Sequence, residues 1–309
     1  MSHFAVLVIG EDVEGKLEPY CELDLPEAAL REDPRAVFNV EVEDTPEAIS
    51  EYLMDARNFW VKGLEEAQDA LSHAEERATE YLAQKFRKLN SFDDAMAVVT
   101  EEQKQRIEKC TNYIAEADAA LSDPSLVPAY ILEYDGYIYV PGEGYGYYRN
   151  PNAMWDWWVV GGRWSGLLLM KEGCEGSLGA PSWCNEDETP EGVDSAYVEC
   201  IDWDRMDAIE RDAASRMWDA AKESLAEEAF KRLYGAFSDK EDYLRKEGVF
   251  STYAVIDEDG EWCSPGKMGW WGMSSDTIAE HAEFSSSFRE RFIKDLPAGT
   301  RITVVDCHI

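Results

Sequence analysis

From Ile49 to Leu89 the chain places Ile49, Leu53, Ala56, Trp60, Leu64, Ala67, Leu71, Ala74, Ala78, Leu82, Phe86 and Leu89 at steps of three and four. That spacing follows the period of an α-helix and gathers the apolar side chains into one stripe. Thr45 ahead of Pro46 supplies an N-cap and a proline in the first turn. Asn90-Ser91 interrupts the stripe, and a short helical piece follows. Thr100-Glu101-Glu102-Gln103 then fits a capping box before Ile107, Cys110, Ile114, Ala117 and Leu121, and Asp123-Pro124 stops the second arm. Residues 46–122 are therefore expected to form an antiparallel helical hairpin, packed between its arms or protruding for dimerisation or partner binding.

On both sides of this hairpin the pattern is shorter. Phe4 to Ile9 reads as a buried strand, and Val37 to Val42 as another. Beyond Pro128, Ala129 to Val140 reads as a β-hairpin turning at Asp135-Gly136. The glycines of Pro141 to Tyr148 superficially suggest a phosphate loop, but no Lys-Ser/Thr follows, so a flexible Tyr-rich loop is expected. A further helical region spans about 203–246, with possible breaks, on the apolar positions Met206, Ile209, Ala213, Met217, Leu225, Phe230 and Leu233. Ser251 to Cys263 reads as a hairpin around Glu258-Asp259-Gly260, Thr277 to Lys294 contains a short helix, and Arg301 to Val305 is a final strand. Together these predict an α+β fold with a mainly antiparallel sheet built from hairpins. The division expected is an α+β body of residues 1–45 and 125–309 with residues 46–124 inserted as the helical hairpin. The apolar runs at the two ends are expected to share the sheet.

Asn150 to Gly166 concentrates four of the eleven tryptophans (Trp155, Trp157, Trp158 and Trp164) around Asp156 and Arg163. Strand alternation puts Trp155 and Trp157 on one face and Asp156 and Trp158 on the other. Gly161-Gly162 suits a two-residue hairpin turn, which would return Arg163 or Trp164 alongside Trp158. Asp156, Trp158, Arg163 and Trp164, with Trp270 and Trp271 from the Gly269–Gly272 loop, are thus candidates for a pocket that binds a planar or anionic ligand. The competing reading is a Trp-rich core face with one structural ion pair.

The start Met1 to Gly10, the Asn150-Pro151 to Trp164 block, Lys267-Met268-Gly269-Trp270-Trp271-Gly272 and the end Val305-Asp306-Cys307-His308-Ile309 occur in that order. In this combination the chain resembles a family of phage- and prophage-encoded proteins. The resemblance covers about a third of the chain, leaves residues 40–125 unmatched, and implies a viral or mobile-element origin without supplying an activity.

The 64 acidic and 29 basic residues leave a net charge of −35. A chain this acidic repels nucleic acid unless its basic residues cluster, and no such cluster is visible. Direct DNA or RNA binding is disfavoured, whereas spaced carboxylates can imitate a phosphate backbone and engage a basic host protein. Net charge also improves solubility without any mimicry. The seven widely spaced cysteines suit reduced thiols, and neither a signal peptide nor a long apolar span is present, so a cytoplasmic location without membrane contact is expected. Asp306, Cys307 and His308 are candidates for an acid/base group or a nucleophile, although neighbours on a strand point apart. His3 could meet His308 and Asp306 if the terminal strands pair, but paired metal-ligand spacing is lacking, and no metal or cofactor is expected. The leading expectation is a phage accessory protein that antagonises a host defence component through its acidic surface. The alternative is an enzyme or sequestering protein for a nucleotide-like molecule.

Overall fold

The computed structural model describes residues 2–23, 25–83, 91–181, 190–269 and 273–309. They divide into one unit of Met1–Ala36 with Arg149–Ile309 and another of Val37–Tyr148. The first unit opens with β1 (His3–Ile9), α1 (Val13–Leu17) and α2 (Glu27–Leu30). The second contains β2 (Val37–Glu43), α3 (Pro46–Ser72), α4 (Ala74–Ala83), α5 (Phe92–Ser122), α6 (Val127–Asp135), β3 (Ile138–Val140) and β4 (Gly144–Arg149). The chain then returns to the first unit with β5 (Trp157–Gly162), β6 (Ala180–Pro181), β7 (Ser195–Tyr197), α7 (Trp203–Ser224), α8 (Glu227–Tyr234) and α9 (Lys240–Glu247). It closes with β8 (Ala254–Ile256), β9 (Trp262–Cys263), α10 (Ile278–Phe292) and β10 (Arg301–His308). The fold is α+β.

In the Val37–Tyr148 unit the helical hairpin forms where the stripes place it. Thr45 accepts the Ala48 N–H with Pro46 behind it, as its N-cap position requires. The arms run antiparallel, since Arg57 pairs with Asp118 while Glu66, further along α3, pairs with Arg106, earlier in α5. Such exposed pairs are worth at most about 1 kcal/mol each, so burial of Leu53, Ala67, Ala70, Val99, Cys110, Ala117 and Ala120 carries most of the association. Four details differ from the sequence expectation. His73 breaks the first arm between α3 and α4, and Phe86 and Leu89 of the stripe lie outside the described residues. Ser91, accepting the Asp94 N–H, starts α5, so Thr100 sits inside a continuous helix and its capping box goes unused. Asp135-Gly136 is not a hairpin turn, because residues 127–135 are helical and Gly136 (φ 64°) is the left-handed cap that ends them. The expected Tyr-rich loop is a real hairpin, β3 with β4, joined to β2 in a three-stranded sheet. The unit is accordingly wider than the 46–124 insertion expected.

In the first unit the sheet order is β6-β5-β10-β1-β8-β9, with β7 also on β10. The terminal strands pair antiparallel from His3 opposite His308 to Ile9 opposite Ile302. β8–β9 is the expected hairpin around Gly260, but the ladders at the centre join strands remote in sequence, and β1–β8 and β5–β6 are parallel. Alternation along β1 and β10 sorts the core into two layers. Leu7, Ile9, Ile302 and Val304 pack with Trp203, Phe284 and Phe288 on one face. Phe4, Val6, Val8, Val305 and Cys307 pack with Leu17, Trp155 and Ile256 on the other. The helical region expected at about 203–246 is broken into α7, α8 and α9, and Trp218, Phe230, Tyr234 and Tyr243 interlock between them. Among the described residues no helix is long and apolar enough to cross a membrane.

Candidate functional site

The β1–β10 register brings His3, Asp306 and His308 onto one face at the end of the sheet, and β5 adds Trp157 opposite His308. His3 Nδ1 lies 2.9 Å from Asp306 Oδ1, and His308 Nδ1 lies 2.7 Å from Asp156 Oδ1. A carboxylate only accepts, so both Nδ1 atoms carry the hydrogen. The His308 ring stacks on Trp157 (5.1 Å between centroids, 18°), and His3 stands edge-on to both, 4.8 Å from His308 and 5.3 Å from Trp157. Asp306 is fully buried, and its other oxygen accepts the Arg163 N–H at 2.9 Å. Two oriented imidazoles beside a half-exposed indole can exchange protons with a bound group. Among the described residues, no group of three or more His, Cys, Asp or Glu side chains is placed to hold a metal ion. The pairing of the terminal strands does bring His3 and His308 together, as expected.

The tryptophan block is organised differently from the hairpin expected of it. β5 begins only at Trp157: Trp155 pairs with another segment, its O accepting the Glu22 N–H, and Asp156 N–H is the first to reach β10, donating to His308 O. The alternation therefore restarts one residue late. Trp155 and Trp158 join the Cys307 face, while Asp156 and Trp157 reach His308. Gly161 and Gly162 (φ 83° and 55°) do not reverse the chain into a partner strand. They wrap it around two buried carboxylates, since Asp194 accepts from Ser165 Oγ and from the Gly166 and Gly179 amides while Asp306 accepts from Arg163. Leu168 and Met170 then bridge to Val193 and Ile201 instead of to β5.

Among the described residues, those expected to share a pocket are not gathered. Trp158 packs in the Cys307 layer, Trp164 packs in the opposite layer, and the Arg163 side chain is exposed, with only its backbone N–H tied to Asp306. Trp270 and Trp271 lie outside the described residues; of their neighbours, Gly269 N–H donates to Met273 O and Ser2 Oγ donates to Gly269 O. Cys307 is corrected as a nucleophile. It is fully buried, and burial, reinforced by the neighbouring Asp306 charge, pushes its thiol well above the usual range. Of the terminal candidates, Asp306 and His308 remain together. Trp157, missed through the parity error, and His3, considered only as a metal partner, complete the cluster.

Comparison with protein-family models, curated proteins and solved structures finds no match to this chain.

Proposed function

We propose that this chain is a phage-encoded accessory protein that binds a basic, nucleic-acid-binding host protein through its carboxylates and so antagonises it. The observation that carries this reading is how the cations are used. Arg57, Arg106, Arg211, Lys240, Arg289 and Arg301 are each committed to a carboxylate of the same chain. Lys16 donates instead to the carbonyl oxygens of Asp257 and Glu258, which pins α1 to the β8–β9 turn. The exposed carboxylates of Asp12, Glu14, Glu18, Glu258, Asp259 and Glu261 thereby share one surface around a cation already engaged. Even if every basic residue took one acid, 64 − 29 = 35 carboxylates would stay uncompensated. A potential of that sign attracts basic grooves and repels nucleic acid itself.

The test is capture of host-lysate proteins on the immobilised chain at graded salt, with duplex DNA as competitor. A basic partner retained at low salt, and released both by raised salt and by DNA, is the expected result. A retained partner indifferent to DNA and salt, or no retained basic protein at any salt, would overturn the reading.

A further inference from the structure

α8, α9 and the start of α10 line an open cavity of about 450 Å³, whose lining includes Tyr234, Phe237, Tyr243, Glu247, Asp276 and His281. Its apolar part is aromatic. Tyr243 touches Trp218, Tyr234 and Phe237 at centroid separations of 5.0–5.3 Å, and both Phe237 and Tyr243 are buried. Its polar part is acidic. The Asp276 side chain is only 7% exposed; one oxygen lies 3.3 Å from His281 Nδ1, and the other is buried with no hydrogen-bond partner among the described residues. Glu247 stands nearby, and burial pushes its carboxyl upward while the His281 charge opposes that.

Asp276 has no capping duty that would explain it. At the start of α10, Thr277 accepts the Glu280 N–H and Glu280 accepts the Thr277 N–H, so the capping box is complete without Asp276. A buried carboxylate with spare acceptor capacity is costly unless something supplies a donor or a positive charge. The cluster already receives cations at its edges: Lys222 Nζ sits 4.5 Å from the Phe230 ring centroid and Lys246 Nζ 5.7 Å from that of Phe237.

We propose that this cavity receives an arginine side chain of the basic partner. A guanidinium is flat enough to lie against Tyr234 and Tyr243, and its fork of N–H donors matches the Asp276 and Glu247 carboxylates. His281, whose side chain is 41% exposed, occupies the Asp276 oxygen meanwhile and is displaced on entry. The proposal rests on the preceding reading only for the source of the arginine.

The test titrates the full chain with acetyl-Gly-Arg-Gly-amide, and with the lysine and citrulline counterparts, followed by calorimetry and by amide shifts of residues 234–281. Saturable binding of the arginine peptide with shifts at the cavity, at least tenfold weaker binding of citrulline, and a loss of tenfold or more in the Glu247→Gln, Asp276→Asn double variant are expected. His281→Ala, which empties the resident contact and leaves both carboxylates, should bind more tightly than wild type. Equal binding of arginine and citrulline peptides, or unchanged affinity in the double variant or in His281→Ala, would overturn the proposal. If the peptide fails to bind while a basic lysate protein is still captured, only the cavity assignment fails. If the peptide binds at the cavity and no basic protein is captured, only the wider reading fails.

Discussion

Gly162 lies against the side chain of Asp306 so closely that a β-carbon on the glycine would fall 2.4 Å from the aspartate Cβ. Its φ of 55° is also one that only glycine adopts readily. Gly162→Ala therefore combines backbone strain with a collision against a fully buried residue, and an expected destabilisation of about 2–4 kcal/mol. Gly173→Ala is the control, because its φ is 79° but nothing lies within 4 Å of the added carbon; about 1 kcal/mol is expected there. Urea unfolding of the two variants checks the ranking, and equal losses would show that contact with Asp306 is immaterial.

Removing the two carboxylates of the histidine cluster should have unequal effects. Asp306→Ala strands the Arg163 N–H and His3 Nδ1 inside the sheet, for about 2–4 kcal/mol. Asp156 is 39% exposed, so water replaces it at His308, and Asp156→Ala should cost about 1 kcal/mol. Denaturant midpoints at constant slope would report the order, and a larger loss for Asp156→Ala would contradict it.

Cys307 and Cys110 are buried, whereas Cys21, Cys174, Cys200 and Cys263 are partly exposed. Brief treatment of the native chain with iodoacetamide should label the latter group and spare the two buried thiols, with all seven cysteines of the chain labelled in urea. Peptide mapping by mass spectrometry reads the pattern. Native labelling of Cys307 would restore it as a candidate nucleophile.

Alkaline pH should loosen the aromatic cluster between α7 and α9. Burial of Tyr243, with smaller contributions from Tyr234 and Glu247, raises its phenol from 10.0 to about 12. A raised folded pKa means that the stability is fully present below pH 10, where both states hold the proton, and is lost as pH climbs through about 12. Thermal unfolding of the wild type should fall over that window, and Tyr243→Phe should flatten the fall. An identical slope in the variant would remove Tyr243 as a source.

The helical hairpin and the terminal strands were legible in the sequence because each announces itself locally, by a stripe of period near 3.6 or by an apolar run. Turns were harder, for a specific reason. Asp135-Gly136 and Gly161-Gly162 both advertise a residue with positive φ, and a hairpin turn, a helix cap and a wrap around a carboxylate all use that conformation. Which one is made depends on distant partners: for Gly162 it is Asp306, on the last strand of the sheet. The same distance hid the site. A single misplaced strand start exchanged Trp157 for Trp158, and the meeting of Glu247 with Asp276 and His281 joins the end of α9 to the start of α10, with no shared motif.

The position of β10 also sets an order of events during synthesis. It pairs with β1, β5 and β7, so the centre of the sheet waits for residues 301–308. While a ribosome is still making the α7–α10 region, β1 has its parallel neighbour β8 at most, and its other edge is bare. An apolar strand held open that long is exposed to mispairing and to slow, non-local closure. The Val37–Tyr148 unit, continuous in sequence and rich in neighbouring helical contacts, has no such wait. Emergence of the final strand is thus the event that completes the His3–Asp306–His308 cluster.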